Sequence, residues 1–302
     1  MEKEEFKSGF VAMLGRTNVG KSTLVNLLVG EKVAATANKV QTTRTAIRGI
    51  VNRENSQIIF IDTPGIHKPK TKLGTTMIET AFGTISEVDV ILFMIEATSK
   101  EVGRGDARIL EKLKETNKKV ILLINKIDLV IKEEIAKLIE LYSKQYNFEA
   151  IIPISAISNK EVEIILNEIE KLLKKGPAYY DVDEYTYQTS RQLVEEVIRE
   201  KALKLLDDEV PHGLYVTVEK MKQSRTQNKE NIYNIEATIY CLRDSHKGII
   251  IGKNGQMLKK IGTYARQDLE RMLGTKINLK TWVKVRKDWQ DEDSIVKNFK
   301  FN

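Results

Sequence analysis

The sequence predicts two domains, an α/β domain on a mostly parallel sheet with helices on both faces and a smaller α+β domain after it. Three observations carry this. Apolar runs of strand length alternate with helical patterns as far as residue 173, the order that builds a parallel sheet. A glycine-bounded loop over 15–22 separates the first strand from the first helix. Beyond Pro177 the order changes to one helix, two alternating strands, two helices and a last strand. At 302 residues the chain also exceeds the usual size of one core. With 41% apolar and 30% charged residues it has the composition of a globular protein rather than a disordered one.

In chain order, a strand over 10–14 leads into the loop and a helix over 22–29, with Gly30 as its C-cap. A threonine-rich polar segment, 34–44, precedes a strand over 45–51. A second strand, 57–61, ends at Asp62, Thr63, Pro64 and Gly65, where Pro and Gly stop it. A helix over 73–87, a buried strand over 89–95, an amphipathic stretch over 105–116 and a strand over 120–124 follow. That strand stops at Asn125, Lys126, Ile127 and Asp128. A helix over 132–146, a strand over 150–154 and a helix over 162–173 close the series. Lys174, Lys175, Gly176 and Pro177 break the last helix, so the expected division is a domain over 1–175, a linker over 176–185 and a second domain over 186–302.

The second domain opens with a helix over 190–206 whose buried stripe is Val194, Val197, Ile198, Ala202 and Leu205. Strands over 214–220 and 232–242 flank a polar loop at 223–231. A short helix over 245–251 meets Gly252, Lys253, Asn254 and Gly255, and a second helix runs over 256–273. The final strand, 276–286, alternates Ile277, Leu279, Val283 and Val285 with Lys276, Lys280, Lys284 and Arg286, so one face packs and the other carries charge.

Charge is uneven along the chain. From 241 to 287 there are 12 Lys and Arg against 3 Asp and Glu, a local +9 that exceeds the +7 of the whole chain. This points to a polyanion partner for the second domain. The single cysteine, Cys241, excludes an intramolecular disulfide and reads as a buried thiol in a reducing compartment. The first ten residues carry acids where a secretion signal has a basic and apolar start, and no run approaches bilayer length, so the expected location is cytosolic.

Each chemical motif falls at the carboxyl end of a strand, where ligand loops of such sheets lie. The loop Gly15, Arg16, Thr17, Asn18, Val19, Gly20, Lys21, Ser22 and Thr23 has the spacing of a phosphate cradle. Its glycines turn backbone N–H groups inward, the helix directs its positive end at the phosphate, Lys21 adds a point charge and the Ser22 hydroxyl can ligate Mg²⁺. A plain glycine turn before a helix would not need Lys-Ser after the second glycine. Asp62 can hold the same Mg²⁺, and the Gly65 N–H can meet a γ-phosphate beside Thr63 and Pro64. Asp128 selects the base, because a carboxylate accepts two hydrogen bonds only from adjacent N–H donors, which guanine has and adenine lacks. Asn125 can tie this loop to the phosphate loop, the Lys126 stem can cover the base plane, and backbone N–H groups near Ser155, Ala156 and Ile157 can reach the guanine carbonyl.

These four motifs in this order resemble the translation-factor-like GTPases, and Gln41, Thr42, Thr43 and Arg44 resemble the first switch of the Era family. The resemblance extends through Val194 to Lys201, Gly248 to Gly262 and Trp282 to Trp289, almost the entire chain. It implies an α/β P-loop GTPase domain followed by an α+β type II KH domain, with GTP/GDP and Mg²⁺ as ligands. By that similarity Thr43 supplies the second Mg²⁺-ligating hydroxyl, with Thr42 its rival. Ile66 stands where Ras-like GTPases carry a water-orienting glutamine. Related GTPases with Asn in the phosphate loop recruit K⁺, and Asn18 matches that position; the other reading of Asn18 is a loop cap.

In the second domain, Gly252, Lys253, Asn254 and Gly255 would let RNA backbone approach, with Ile249, Ile250 and Ile251 as a groove floor and Lys259, Lys260, Arg266 and Arg271 contributing charge. The resemblance implies a ribosome-assembly GTPase that binds the 3′ end of 16S rRNA on the small subunit, with a fraction peripherally at the inner membrane; the chain itself reads as a cytoplasmic monomer. An RNA-binding module with an inert nucleotide site is the alternative, kept open by Ile66.

Overall fold

The computed structural model describes residues 5–37, 39, 42–225 and 231–299. Gln41 and most of the polar loop between the second domain's first two strands lie outside the described residues. The chain divides into two compact units, one holding Thr43–Tyr187 with the chain up to Ala34, the other holding Gln188–Asn298 with Ala35–Thr42.

In the first unit, β1 (Lys7–Gly15), β2 (Ile47–Arg53), β3 (Ser56–Asp62), β4 (Val90–Glu96), β5 (Lys119–Asn125) and β6 (Ala150–Pro153) form a sheet in the order β2-β3-β1-β4-β5-β6. Only β2 and a two-residue β7 (Lys174–Lys175) run antiparallel to their neighbours. Parallel strands are buried on both sides, which is why their sequences are unbroken apolar runs. On one face, Val11, Met13, Phe60, Leu92 and Leu123 pack under α1 (Lys21–Val29) and α5 (Val162–Leu172). On the other, Ala12, Leu14, Phe93 and Leu122 pack under α2 (Lys72–Glu87), α3 (Arg104–Lys114) and α4 (Lys132–Ser143).

The stretch expected to link the domains, 176–185, lies instead along the first unit's sheet. The Ile50 N–H donates to the Tyr185 carbonyl at 3.0 Å. Gln57, fully buried, accepts from the Tyr179 and Tyr180 N–H groups at 2.7 and 3.0 Å, and Phe10 meets the Tyr179 ring at 5.0 Å. The physical reason is that β2 is an edge with unmet backbone groups and Gln57 is a buried amide that must be satisfied.

In the second unit, α6 (Ser190–Leu205), α7 (Asp244–Ile251) and α8 (Gln256–Leu273) cover one side of a three-stranded sheet in the order β10-β9-β8. The strands are β8 (Tyr215–Arg225), β9 (Asn231–Cys241) and β10 (Lys276–Val285), with β8 antiparallel and β10 parallel to β9. A Thr189–Gln192 capping box starts α6. Cys241 is a buried free thiol. A last helical segment, α9 (Asp293–Val296), has no counterpart in the sequence reading. Trp289 ahead of it is fully buried, donates from Nε1 to the Gly213 carbonyl at 3.0 Å and meets the Tyr215 ring at 4.5 Å.

Candidate functional site

The first site lies at the carboxyl ends of β1, β3 and β5, around the loop between β1 and α1. Gly20 has φ +109°, and a Cβ there would stand 2.2 Å from Asn125 Nδ2, so only glycine fits. Asn125 is the tie expected of it: its Nδ2 donates to the Val19 carbonyl at 2.7 Å. The same side chain accepts from the Ala156 N–H at 2.9 Å. That N–H, expected to face a guanine carbonyl, is therefore taken up by Asn125 in this arrangement. Gly65 abuts the loop equally closely, since a Cβ there would lie 2.7 Å from Thr17 Cα, and the Ile66 N–H donates to the Gly15 carbonyl at 3.1 Å.

Lys21 is buried and points back at the loop, donating to the Gly15 and Arg16 carbonyls at 3.2 and 3.0 Å. Burial pulls its ammonium down to about 8, with the Asp62 carboxylate opposing. Beside it three oxygen side chains from separate segments converge. Ser22 Oγ donates to Asp62 Oδ2 at 2.6 Å, and Thr43 Oγ1 lies 2.8 Å from Ser22 Oγ and 3.2 Å from Asp62 Oδ2. Thr42 is elsewhere: its hydroxyl donates to the Ala37 and Lys39 carbonyls at 3.1 and 2.6 Å. Thr63 is also structural, donating to the Met13 carbonyl at 2.5 Å. Pro64 continues this strand-ending turn, and Thr23 sits in the first turn of α1.

At the β5 end, Asp128 is exposed and oriented by Ser155, whose hydroxyl donates to Oδ1 at 2.6 Å. Lys126 adopts φ +66°, and its ammonium reaches the Asn18 carbonyl at 3.1 Å and the Glu96 carboxylate. Asn18 itself has φ +65° and an exposed side chain; Ile157 is 81% exposed at the rim. Ile66 is 3% exposed and packed in the core under α2, so it offers nothing to a water.

Two partners escaped the sequence reading. Glu96 ends β4 opposite Lys126, and Arg16 is held by the buried Asp106 of α3, Nε to Oδ2 at 3.1 Å. Burial pushes the Asp106 carboxyl up, opposed by Arg16 and by the Tyr142 hydroxyl that donates to it at 3.2 Å. Glu96 was signalled only as the polar end of an apolar run, and Asp106 only as an acid on a helix's buried side.

The second site surrounds Gly252, Lys253, Asn254 and Gly255, a single turn between α7 and α8. Gly252 and Gly255 have φ +71° and +75°, and a Cβ on Gly252 would lie 2.7 Å from Met257 Cβ. Lys253 and Asn254 are exposed. An open groove of about 340 Å³ runs from Gly255 along Leu258, Lys259 and Gly262 to Arg266, with Leu279 and Thr281 of β10 as its wall. Ile250 is not its floor: it is fully buried in the core under α6, while Ile249 is half exposed. Lys260 lies off the groove with its ammonium 5.9 Å from the Tyr264 ring, Arg266 pairs with Glu270 at 3.1 Å, and Arg271 approaches Asp268 at 3.5 Å.

Known proteins resemble the chain throughout. Residues 10–126 match the model of 50S ribosome-binding GTPases and residues 209–290 match that of KH domains. The chain is 53% identical to the GTPase Era of Thermoanaerobacter sp. strain X514, covering 96% of this chain and 95% of that one, and 52% identical to the GTPase Era of Caldanaerobacter subterraneus, covering 97% of each. The chain belongs to the Era family of GTPases. Among solved Era structures, one in complex with MgGDPNP and nucleotides 1506–1542 of 16S ribosomal RNA has a TM-score of 0.92 at 40% identity, covering 97% of this chain and 98% of that one. An Aquifex aeolicus Era variant bound to GDP and AlF4⁻ gives the same TM-score and identity, covering 97% and 99%. The α/β P-loop domain followed by a KH domain expected from the sequence is therefore the Era-family architecture.

Proposed function

We propose that this Era-family GTPase is a GTP-driven switch that binds small-subunit rRNA near its 3′ end and assists small-subunit assembly. The meeting of Ser22, Thr43 and Asp62 within 3.2 Å carries the nucleotide half of this reading. Two hydroxyls and a carboxylate form a hard-oxygen donor set suited to Mg²⁺, an ion that neutralises charge on the β- and γ-phosphates when bound. Lys21 adds a cation at the phosphates, and the Gly65 N–H donates toward the γ-phosphate. Asp128 accepts the two N–H donors of guanine, held in position by Ser155. With Ile66 buried, no side chain at that position orients water. Asn18 would instead help hold K⁺, a charge that does the electrostatic work of an arginine finger.

The RNA half rests on the glycine-hinged turn at Gly252–Gly255, the charge of Lys253 and Lys259, and the Era relative solved with nucleotides 1506–1542 of 16S rRNA. Lys260 is a weaker contributor than the sequence alone suggested. We also read the chain as a cytoplasmic monomer. The peripheral membrane fraction implied by the family would be a surface attachment, since no helix among the described residues is long and apolar enough to cross a membrane.

GTP turnover tests the reading when measured in K⁺ and in Na⁺, with and without an RNA carrying the 3′ end of 16S rRNA. Faster hydrolysis in K⁺ and a response to the RNA are expected. Equal rates in the two salts would remove the role of Asn18, and absence of turnover under every condition would favour the inert-site alternative.

A further inference from the structure

The outer face of the second unit's sheet, opposite the helices, takes no part in the groove. On β10, Ile277 and Val283 turn into the core, and Lys276, Lys280, Trp282 and Lys284 turn outward and are exposed. The register extends this face: Lys280 pairs with Glu236 and Trp282 with Thr238 on β9, while Lys220 and Lys222 of β8 pair with Glu236 and Asn234. Paired residues share a face, so five lysines stand on one flat surface. Acids beside it are Glu236, 3.7 Å from Lys220, Glu219 at a bulge, and Glu292, which pairs with Arg286 at 2.7 Å just past the Lys284 end. Trp282, 44% exposed, sits between Lys280 and Lys284, each about 6.6 Å away along the strand.

A simpler account covers part of this. Both β8 and β10 are edge strands, and lysines on edges discourage pairing with other chains. Edge protection has no use for a half-exposed indole flanked on one face by two ammonium groups. That alternation of cation, ring and cation is what a single-stranded nucleic acid requires, since every base has a face to stack and every linkage a charge to neutralise.

We propose that this face is a second RNA-binding surface, where an unpaired base stacks on Trp282 while Lys280 and Lys284 hold the flanking phosphates and Lys222, level with Asn278 two strands away, meets one farther along the strand. It is separate from the groove, whose wall residues Leu279 and Thr281 point to the other side of the same strand. It deepens the RNA reading above and takes from it only the class of polymer.

The test titrates the full chain with a short oligouridylate, following tryptophan fluorescence and, in parallel, the anisotropy of labelled RNA. Trp289 is fully buried, so quenching reports Trp282, the other of the two tryptophans. Saturable quenching is expected, and it survives Lys253→Asp, which disables the groove. In that Lys253→Asp chain, Trp282→Ala weakens binding about fivefold or more. Lys280→Gln with Lys284→Gln lowers the slope of log affinity against log salt by about 0.7 per lysine. These substitutions are at exposed positions, and an unchanged urea midpoint verifies the fold. RNA binding without quenching, or quenching lost with Lys253→Asp, would overturn this inference alone. Equal affinity for an RNA duplex of the same length would overturn the stacking role of Trp282. No binding of any oligonucleotide by either readout would overturn the groove reading as well.

Discussion

At the residue scale the neighbouring threonines divide by geometry. Thr43 reaches both Ser22 and Asp62, whereas the Thr42 hydroxyl is spent on the carbonyls of its own segment. Thr43→Ala is therefore expected to weaken Mg²⁺-dependent GTP binding by at least roughly tenfold, and Thr42→Ala to leave it near wild type. Titrating nucleotide affinity against Mg²⁺ distinguishes them. Lys21 gives a second expectation. Burial lowers its pKa to about 8, and phosphate anions favour the charged form, so the pKa rises on binding. Nucleotide binding above pH 8 then takes up a proton, and affinity falls as pH rises through about 8. Calorimetry in two buffers of unlike ionisation heat reads that proton directly, and identical heats would contradict it.

At the element scale, strands and helices were largely legible because their periods are strong. The parallel strands are unbroken apolar runs, and α8 spans the same residues, Gln256–Leu273, as its pattern predicts. What failed to read was short or held by long-range contacts. β7 has two residues, too few for any period, and exists because β1 offers Lys7 and Ser8 as partners. The 176–185 stretch carries Pro, Gly, Tyr and acids with no period, and it is fixed by Gln57 and β2. The segment around Trp289 is likewise defined by its burial. Trp289→Ala should cost the second unit about 3–5 kcal/mol through the cavity left behind. Trp289→Phe should cost less, about 1–3 kcal/mol, because the Gly213 carbonyl loses its donor. Shifts in the urea midpoint, measured on the full chain, order the two variants.

At the scale of the whole molecule the chain joins a guanine-nucleotide site and a cationic groove. Lys253 lies on the exposed turn of the second unit, and the nucleotide-site side chains all come from the first, so Lys253→Asp should abolish RNA binding in the groove while leaving RNA-independent GTP turnover unchanged. A fall in that basal turnover would contradict separate chemistries. The sequence by itself determined that there are two domains, that one cradles phosphate and selects guanine, and that the other is basic. Those features follow from local spacing: a turn, a strand end and a charge count need only neighbours in the chain. The tertiary structure alone decided which threonine meets Ser22 and Asp62, why Gly20 and Gly65 tolerate no side chain, and where 176–185 lies. Each of those depends on atoms brought together from positions far apart in sequence, whose distances no periodicity encodes.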